Sequence, residues 1–480
     1  MEIKSVLHIL GALLVFVGLS LLFPIAFSLY YHDGDFLALF YSLLITVSVG
    51  AALWKFIPGR PELGIREGFA VVSFGWVLLA AFGALPYMFS AVEISYTDAF
   101  FETMSGFTTT GATILTDVEA LPHGLLFWRS LTHWLGGMGI IVLSLAILPM
   151  LGIGGMQLFK AEVPGPEVDK LKPRIQDTAK ILWGVYALFS IVEALLLMFG
   201  GMSVFDALCH TFGTMATGGF STKNAGIGHF QSAYVEYVIT VFMILAGTNF
   251  ALHYRTLKGE LKSYFKSSEF CFYLGVIIFV TVFITVDLIF YQNVSATTSI
   301  QKSVFQVTSL LTTTGFHSAD YESWAISSQL ILVVLMFFGG CAGSTGGGIK
   351  IVRIYLTVKY GLVQLKKLLH PHAVIPIRMG NRSVPEQAIT DVLGFLLLYI
   401  TIFVLASIFM SLLGLDLTTA VSTVISTLGN IGPGIGAIGP TENYAHIPIL
   451  GKWVLSFLML VGRLEIYTVL VVFNRDFWIR

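Results

Sequence analysis

Long apolar runs alternate with short polar segments along the whole chain. Ten of these runs reach the length of about 20 residues that an α-helix needs to cross the hydrocarbon core of a bilayer. Ten crossings place both ends of the chain on the same side of the membrane. The predicted spans lie near residues 5–30, 36–57, 69–92, 125–153, 181–202, 234–254, 270–291, 325–360, 392–414 and 447–474.

The charges between the runs indicate the orientation. Lysine and arginine are concentrated in alternate loops and at the C-terminus, and the positive-inside rule assigns such loops to the cytoplasm. Both termini are therefore predicted to be cytoplasmic. The basic loops are residues 55–67, 160–180, 255–266 and 353–382. The few basic residues predicted for the opposite side are Arg129, Lys223, Lys302 and Lys452.

Four short apolar segments lie between long runs, all on the predicted outer side. At about 11–13 residues they are too short to span. An apolar segment that enters and turns back is typical of a re-entrant pore helix, whose irregular backbone must be buried or line a wet cavity. Asp98, Asp206 and Asp416 stand near three of the starts and are expected to cap free N–H groups. The segments are 96–108, 203–215, 300–311 and 416–426.

A hydroxyl-rich turn that ends in glycine follows each short segment. One such turn alone is an ordinary loop between helices, but four at equivalent places favour a repeat architecture around one pore. The predicted fold is an all-α polytopic membrane protein with four pseudo-symmetric helix–pore-helix–helix repeats and an N-terminal two-helix hairpin. The turns are residues 108–111, 216–219, 312–315 and 426–429. The predicted units are the hairpin 1–57 and the repeats 68–155, 176–257, 269–360 (with a broken second helix) and 386–475.

Composition excludes several classes of protein. Hydrophobic residues make up 56% of the 480 residues and charged residues only 11%, against about 25% charged in soluble domains. The net charge of -1 disfavours a nucleic-acid partner. The three cysteines show no pairing or metal-binding pattern, so inert thiols and no bound cofactor are predicted. The first apolar run is too long for a signal peptide and is interpreted as a retained helix.

The turns have the chemistry of a filter for a monovalent cation. Glycine can turn a carbonyl toward an axis where a Cβ would be strained, and rings of backbone carbonyls replace the hydration shell of potassium. No carboxylate lies within the turns, which disfavours a divalent-cation site. The predicted potassium-binding residues are Thr109, Thr110, Gly111, Ala216, Thr217, Gly218, Thr313, Thr314, Gly315, Thr427, Leu428 and Gly429.

A glycine-rich segment, 337–350, interrupts the second long run of the third repeat. Each glycine costs about 1 kcal/mol in a helix interior, so this stretch is expected to unwind inside the membrane. A nucleotide-binding loop is disfavoured, because Lys350 is not part of a G-K-[ST] sequence and no strand precedes it. The alternative is a gate below the filter. Its candidate residues are Gly343, Gly346, Gly347, Gly348 and Lys350.

Arg463 is placed midway along the last predicted helix. An arginine near the bilayer centre faces protein or water, so it is interpreted either as a gate residue below the filter or as a structural pairing partner. Glu465 is two residues on, faces elsewhere, and is not expected to neutralise Arg463. Glu102, Glu193 and Glu236 are interpreted as bracing residues rather than as parts of the ion pathway.

These residues together resemble the Trk/Ktr/HKT superfamily of potassium transporters, and within it the TrkH-type subunit. The resemblance covers residues 68–475 and rests on the four turns, on the segment 339–350 and on the segment 462–465; the extra hairpin 1–57 is also of the TrkH type. In this family a serine at the first filter glycine accompanies sodium transport. Glycine at all four predicted positions therefore implies potassium, although Leu428 and Asn430 make the fourth turn the most divergent.

The resemblance implies a pseudo-tetrameric pore within one chain, gated by the glycine-rich loop and Arg463. It also implies a homodimer with two pores, a cytoplasmic nucleotide-binding regulatory ring of the TrkA type, and a place in the bacterial inner membrane among lipids. The basic loops 255–266 and 353–382 are the predicted docking surface for the ring. Potassium is the transported ion, and no bound cofactor is implied.

The predicted function is potassium uptake driven by the membrane potential, which supplies about 2.3 kcal/mol per charge per 100 mV. The alternative is a symporter that couples potassium to H+ or Na+, which would need a titratable or second ion site in the pathway. Only Glu102, Glu193 and Glu236 could serve there. An intramembrane protease is disfavoured because the chain has no HExxH motif and no Ser/His pair at membrane depth.

Overall fold

The computed structural model describes residues 2–58, 64–146, 175–380 and 382–479. Within these ranges the chain is helical, apart from loops and a ribbon in which Arg378–Met379 (β1) pairs antiparallel with Arg382–Ser383 (β2). The predicted all-α fold is confirmed. The end of the first predicted repeat, 147–155, lies outside the described residues, as do four basic residues of the loop 160–180. These are Lys160, Lys170, Lys172 and Arg174.

An N-terminal hairpin opens the chain. Ile3–Ser20 (α1) and Leu22–Tyr31 (α2) form one apolar stretch of 29 residues, and Phe36–Phe56 (α3) returns beside it. The two arms come into backbone contact, since a Cβ on Gly11 would lie only 2.7 Å from the carbonyl oxygen of Gly50. Small residues on both arms therefore set the distance between them.

The rest of the chain repeats one unit four times: a long helix, a half-length helix and a returning helix. The long helices are Ile65–Gly83 with Leu85–Phe89 (α4, α5), Ile175–Phe199 (α8), Ser268–Gln292 (α13) and Glu386–Leu412 (α17). The half-helices are Tyr96–Phe107 (α6), Val204–Met215 (α9), Ala296–Leu311 (α14) and Leu417–Gly429 (α18). The returning helices are His123–Ala146 (α7), Ala233–Ala246 with Phe250–Leu257 (α10, α11), Ile326–Leu335 with Ile351–Leu369 (α15, α16) and Ile449–Arg463 with Tyr467–Leu470 (α19, α20). Two short helices are Ser263–Lys266 (α12) and Arg475–Trp478 (α21).

Helix length and hydropathy agree with a multi-pass membrane protein. Within the described ranges, six helical stretches are long and apolar enough to cross a membrane, and two bent helix pairs satisfy the same test together. The six stretches are Ile3–Tyr31, Phe36–Phe56, Arg66–Phe89, Ala179–Phe199, Ser268–Gln292 and Glu386–Leu412.

Two predicted continuous spans are wrong because their helices bend. The span predicted at 234–254 turns by 102° between α10 and α11, where the side chain of Asn249 accepts the N–H of Ala251 and starts a new helix. The span predicted at 447–474 turns by 113° after α19, because Glu465 and Ile466 both have positive φ. Arg463 therefore ends a helix rather than lying midway along it.

Each half-helix begins at a side-chain cap. The caps are Ser95, Ser203, Ser295 and Asp416, and each accepts the N–H three residues later. Asp416 caps as predicted. Asp98 and Asp206 do not, because each stands three residues inside its helix and accepts the hydroxyl of the serine cap at 2.7 Å. These two acids hold the hydroxyls of the serine caps instead.

Candidate functional site

Each half-helix ends in a turn whose first residue has a left-handed backbone. The four residues are Thr109, Thr217, Thr313 and Asn430, with φ of 53°, 53°, 58° and 54°. A β-branched residue rarely adopts this conformation, because its Cβ crowds the backbone. Three threonines strained in the same way at equivalent positions indicate that the surrounding structure imposes the turn.

Backbone hydrogen bonds set the register of the four turns. The second residue of each turn donates its N–H to the carbonyl five residues earlier at 2.7–2.9 Å, as in a Schellman helix end. The third residue is a glycine with positive φ in every turn. The second residues are Thr110, Gly218, Thr314 and Ile431. The third residues are Gly111, Gly219, Gly315 and Gly432, with φ of 82°, 78°, 80° and 101°.

This register differs from the predicted one in the second repeat. The sequence pattern aligns Gly218 with Gly111, whereas the backbone aligns Gly219 with Gly111. The two adjacent glycines cannot be told apart by composition alone. Only Gly219 has the positive φ, and Gly218 occupies the position that Thr110 holds in the first repeat.

The register of the fourth repeat is shifted by three residues. Residues 427–429, which include the predicted glycine Gly429, still belong to the last turn of α18. Asn430 ends the helix because it takes the left-handed conformation, which asparagine tolerates better than most residues. The structural equivalent of Gly111 is therefore Gly432, and the turn is formed by residues 430–432.

The four turns meet head to tail in a closed ring. A Cβ added to the glycine of one turn would overlap the carbonyl oxygen of the next turn, in order around the ring. Glycine is thus required at each position both by its φ and by the space available. The contacts are Gly111 with Gly218 O, Gly219 with Thr314 O, Gly315 with Ile431 O and Gly432 with Thr110 O.

Hydroxyls behind the ring brace the turns, but not equally. In the first repeat the hydroxyls of Thr108 and Thr110 lie 2.8 Å apart, and in the third those of Thr312 and Thr314 lie 2.7 Å apart. In the fourth repeat the amide of Asn430 donates to Thr110 Oγ1 at 3.0 Å and thereby joins the fourth turn to the first. The second repeat has Ala216 and Gly218 at the two positions and no such hydroxyl pair.

A cavity of about 110 Å³ opens directly outside the ring. The residues that follow each turn line it, so all four repeats contribute to one mouth. The imidazole of His317 lies in this lining, and burial lowers the pKa of His317 to about 4. Lining residues from the four repeats include Ala112, Thr113, Ser221, His317 and Pro433.

The few basic residues predicted for the outer side are mostly paired. Arg129 lies 2.7 Å from the buried carboxylate of Glu102, which also accepts the N–H of Ile114. Lys302 pairs with Glu236 at 2.6 Å, and Lys452 pairs with Asp98 at 2.5 Å. These pairs connect helices to half-helices and loops around the mouth. The interpretation of Glu102 and Glu236 as bracing residues agrees with these contacts.

The glycine-rich segment breaks the third returning helix between α15 and α16, as the sequence predicts. A short parallel pairing of Phe338 with Ile349 closes the segment into a loop. Within it the ammonium of Lys350 donates to the carbonyl of Gly346. All four predicted glycines, Gly343, Gly346, Gly347 and Gly348, lie in this loop.

The loop lies directly against the inner side of the turns. The N–H of Gly347 donates to Thr313 Oγ1 at 2.6 Å, and Thr345 Oγ1 donates to the carbonyl of Met215 at 3.0 Å. Arg463 is 2% exposed and donates to the carbonyl of Thr345 at 2.7 Å. The structure thus brings the predicted loop residues, Arg463 and the third turn together.

Two partners of the loop are not apparent from the sequence. The first is the bend between α10 and α11. There the carbonyl of Gly247 accepts the N–H of Cys341 at 2.8 Å, and the N–H of Phe250 donates to the carbonyl of Gly343 at 3.1 Å. Glu269 accepts the N–H of Ala342 at 2.7 Å. The sequence Gly-Thr-Asn before an apolar run is the signal that could have located the bend, because asparagine is a frequent helix cap.

Glu465 forms a salt bridge with another arginine. It contacts Arg353 of α16 at 2.6 Å, and the Arg353 guanidinium also stacks on the ring of Phe395. In the described part of the chain, no group of three or more His, Cys, Asp or Glu side chains could hold a metal ion.

A fold of long helices with four half-helices that meet at one carbonyl ring defines a multi-pass membrane transport protein. A family model described as TrkH, cation transport protein, matches residues 37–478. The chain belongs to the TrkH family, and it is a transporter rather than an enzyme.

Proteins of known name match over their full lengths. Trk system potassium uptake protein TrkH of Salmonella typhimurium is 42% identical over 485 residues, with 100% of each chain covered. TrkH of Escherichia coli strain K12 is 42% identical over 486 residues, again with 100% of each covered. The crystal structure of the potassium transporter TrkH from Vibrio parahaemolyticus superposes with a TM-score of 0.91 at 36% identity and covers 100% of both chains.

Proposed function

We propose that this protein takes up potassium across the bacterial inner membrane through the ring formed by the four turns. The observation that carries the proposal is the closed ring of equivalent carbonyls, at residues 110, 218, 314 and 431, each against a glycine of the preceding turn. Such carbonyls replace the hydration shell of a potassium ion. The relatives named as potassium uptake proteins support the choice of ion.

The filter in this proposal contains most of the residues predicted from the sequence. From the backbone register we propose Gly219 in the ring beside Gly218, and residues 430–432 instead of the predicted Thr427, Leu428 and Gly429. The latter three support the fourth turn from the end of α18. The proposed filter residues are Thr109, Thr110, Gly111, Thr217, Gly218, Gly219, Thr313, Thr314, Gly315, Asn430, Ile431 and Gly432, with Ala216 beside them.

The glycine-rich loop and Arg463 are proposed to gate this pathway. In this structure the loop lies against the third turn through Gly347 and is held by Arg463 through Thr345. Arg463 and Lys350 each bind a carbonyl of the loop. Their two positive charges lie below the ring, where they oppose the passage of a cation. Conduction then requires the loop to move away from the turns.

Regulation by a cytoplasmic ring, and assembly as a homodimer, are proposed for this chain as the family resemblance implies. The end of α16 supports a docking role because it exposes both charge and apolar surface, including Lys366, Leu365 and Leu368. Reversal of charge at Lys366 and Lys367 is expected to weaken binding of the ring. Unchanged binding would remove this surface from the proposal. Both termini are proposed to be cytoplasmic.

Ion flux in liposomes tests the function. Wild-type protein is expected to conduct potassium in preference to sodium, and Gly111→Ser is expected to lose that preference because any Cβ at this position overlaps the carbonyl of Gly218. Gly184→Ser is the matched control, since no atom lies within 4 Å of a Cβ on Gly184. Unchanged sodium discrimination in Gly111→Ser would show that the first turn is not a filter.

The same liposomes separate uptake down the potential from symport. Flux driven by a potassium gradient alone, and insensitive to pH and sodium gradients, is expected. Dependence of potassium flux on either gradient would favour the symporter. Because Glu102 and Glu236 are paired with Arg129 and Lys302, their carboxylates are already engaged by cations of the protein.

A further inference from the structure

The second turn lacks the brace that stiffens the first and third. In those turns the residue before the glycine is a threonine, whose hydroxyl bonds the threonine two residues earlier. In the second turn these two positions are Gly218 and Ala216, which carry no hydroxyl. A carbonyl of the ring is therefore held by a residue with no side chain, and something else must fix its position.

The space that a side chain at residue 218 would fill is taken by His133 of α7. A Cβ added to Gly218 would overlap Nδ1 of His133, and the three nearest atoms to that Cβ all belong to the imidazole. Gly218 has no positive φ, so its backbone conformation does not by itself require glycine. The imidazole alone excludes a larger residue there.

One face of α7 is shaped to match the second turn. Gly137, one helical turn after His133, lies against Ala216, and a Cβ on Gly137 would lie 2.7 Å from the Cα of that residue. Residues four apart share a helix face. The imidazole of His133 thus packs against Gly218, which has no side chain. Gly137, which has none either, packs against the methyl-bearing Ala216.

The imidazole is itself clamped. Its ring is stacked on Phe220, with centroids 4.0 Å apart and an angle of 12° between the planes. The guanidinium of Arg129 lies on Phe220 at 3.5 Å and is anchored by Glu102. His133 is fully buried, and within the described part of the chain neither ring nitrogen has a hydrogen-bond partner. A buried polar ring without partners, with its edge on the filter backbone, is not explained by packing alone.

We infer that His133 is the positioning residue for the second quarter of the filter, and that it sets the potassium selectivity of that quarter by holding the Gly218 carbonyl in the ring. This inference rests on the proposed function of the ring. The first and third turns are each braced by a pair of their own threonines. In the second turn His133, which belongs to the first repeat, takes the place of that pair. The filter is then four-fold in its carbonyls but not in what supports them.

A double-mutant cycle tests the inference. Gly218→Ala is expected to lower potassium flux by about tenfold, because the methyl group displaces the turn from the imidazole. His133→Ala removes the obstacle, so the double variant H133A/G218A is expected to recover flux to within about threefold of wild type. His133→Ala alone is expected to retain flux but to lose discrimination against sodium, a change that loss of packing alone would not produce.

Gly184→Ala serves as the matched control, because it adds the same methyl group in the same repeat with no atom within 4 Å. Size-exclusion profiles check folding, and His133→Ser replaces His133→Ala in the cycle if the alanine variant is not monodisperse. Equal loss of flux in Gly218→Ala and in the double variant, or unchanged selectivity in His133→Ala, would overturn the inference. If Gly111→Ser still changes selectivity, the proposed filter survives that result; if it does not, the proposed function itself has failed.

Discussion

In the proposed orientation, the half-helices begin in the outer half of this transporter and the glycine-rich loop lies in the inner half. These two halves differ in symmetry. On the outer side the four half-helices begin with equivalent caps and end in equivalent turns, and each turn contacts the next in the same way. On the inner side the four returning helices differ. The first is continuous through the described part, to Ala146, the second and fourth bend by 102° and 113°, and the third opens into a loop.

This difference shows which part of the fold tolerates variation. In the proposed filter, a ring of carbonyls around one ion needs equal distances from all sides, so the outer half must keep its backbone equivalent. The proposed gate needs an element with two arrangements, and one interrupted helix out of four provides it. The bends of the second and fourth returning helices place two hydrogen-bond partners against this loop, the carbonyl of Gly247 and the guanidinium of Arg463.

The largest effect is expected from breaking the outer symmetry. Gly315→Ala places a methyl group on the carbonyl of Ile431 at a residue with φ of 80°, so both space and backbone oppose it. Potassium uptake is expected to be abolished in cells that depend on this protein. Gly275→Ala, in the same repeat but with no atom within 4 Å of the new methyl group, should support growth. Growth of the Gly315→Ala strain at wild-type rate would contradict a closed ring.

A smaller and opposite effect is expected from the inner half. Arg463→Gln removes the bond to the carbonyl of Thr345 and one of the charges below the ring. Basal potassium flux, measured without any regulatory partner, is expected to rise by about tenfold as the loop is released. Lys55→Gln, which removes an exposed charge from the end of α3, is the control. A fall in flux would mean that Arg463 supports the open pathway instead.

A still smaller rise is expected from Asn249→Ala. The side chain of Asn249 caps α11 and packs 3.1 Å from the position of a Cβ on Gly343, so it supports the loop from the second repeat. Loss of one helix cap costs about 1 kcal/mol, and basal flux is expected to rise by about two- to fivefold. The same alanine at Asn443, which caps no helix of the gate, should leave basal flux as it is.

The last expected effect is on stability rather than on transport, and it comes from pH at the mouth. Because the pKa of His317 is lowered to about 4 by burial, the unfolded chain binds its proton more readily than the folded one. Stability should therefore fall as pH decreases from about 6.5 to about 4, by at most about 3 kcal/mol, and change little above that window. Thermal unfolding in detergent measures this, and His317→Asn should flatten the profile between pH 4 and 6.5. An identical profile in both proteins would show that His317 does not titrate in this way.

The elements that the sequence predicts best are those with strong periodic or compositional signals. The turns of the first and third repeats lie at the predicted residues, because three threonines before a glycine are unambiguous. The first two half-helices also agree with the sequence pattern, whereas the third begins four residues earlier than predicted, at Ala296, and the fourth ends three residues later, at Gly429. The sequence pattern misplaces the fourth turn. Ser426, Thr427 and Gly429 resemble the hydroxyl-rich turns in sequence, but they still belong to the helix α18. Counting from the caps avoids the error: Gly111, Gly219 and Gly432 each lie 16 residues after a cap.

Other features were beyond what a single sequence reveals. The contact of Glu269 with Ala342 joins two residues that lie far apart in the chain. Likewise, the position of His133 behind Gly218 follows from how α7 packs on the next repeat. Composition marks such residues only as a histidine or a carboxylate in an apolar helix.

The joint between the fourth and first turns has a consequence for biosynthesis. Asn430 bonds Thr110 across a separation of 320 residues, and Gly432 closes on the carbonyl of the same residue. A nascent chain with three repeats already inserted thus has an open arc in place of a ring. On the proposed function, the pathway is completed only by the last repeat to leave the ribosome, so a partly synthesised chain in the membrane has no finished pore through which the cell's potassium could escape.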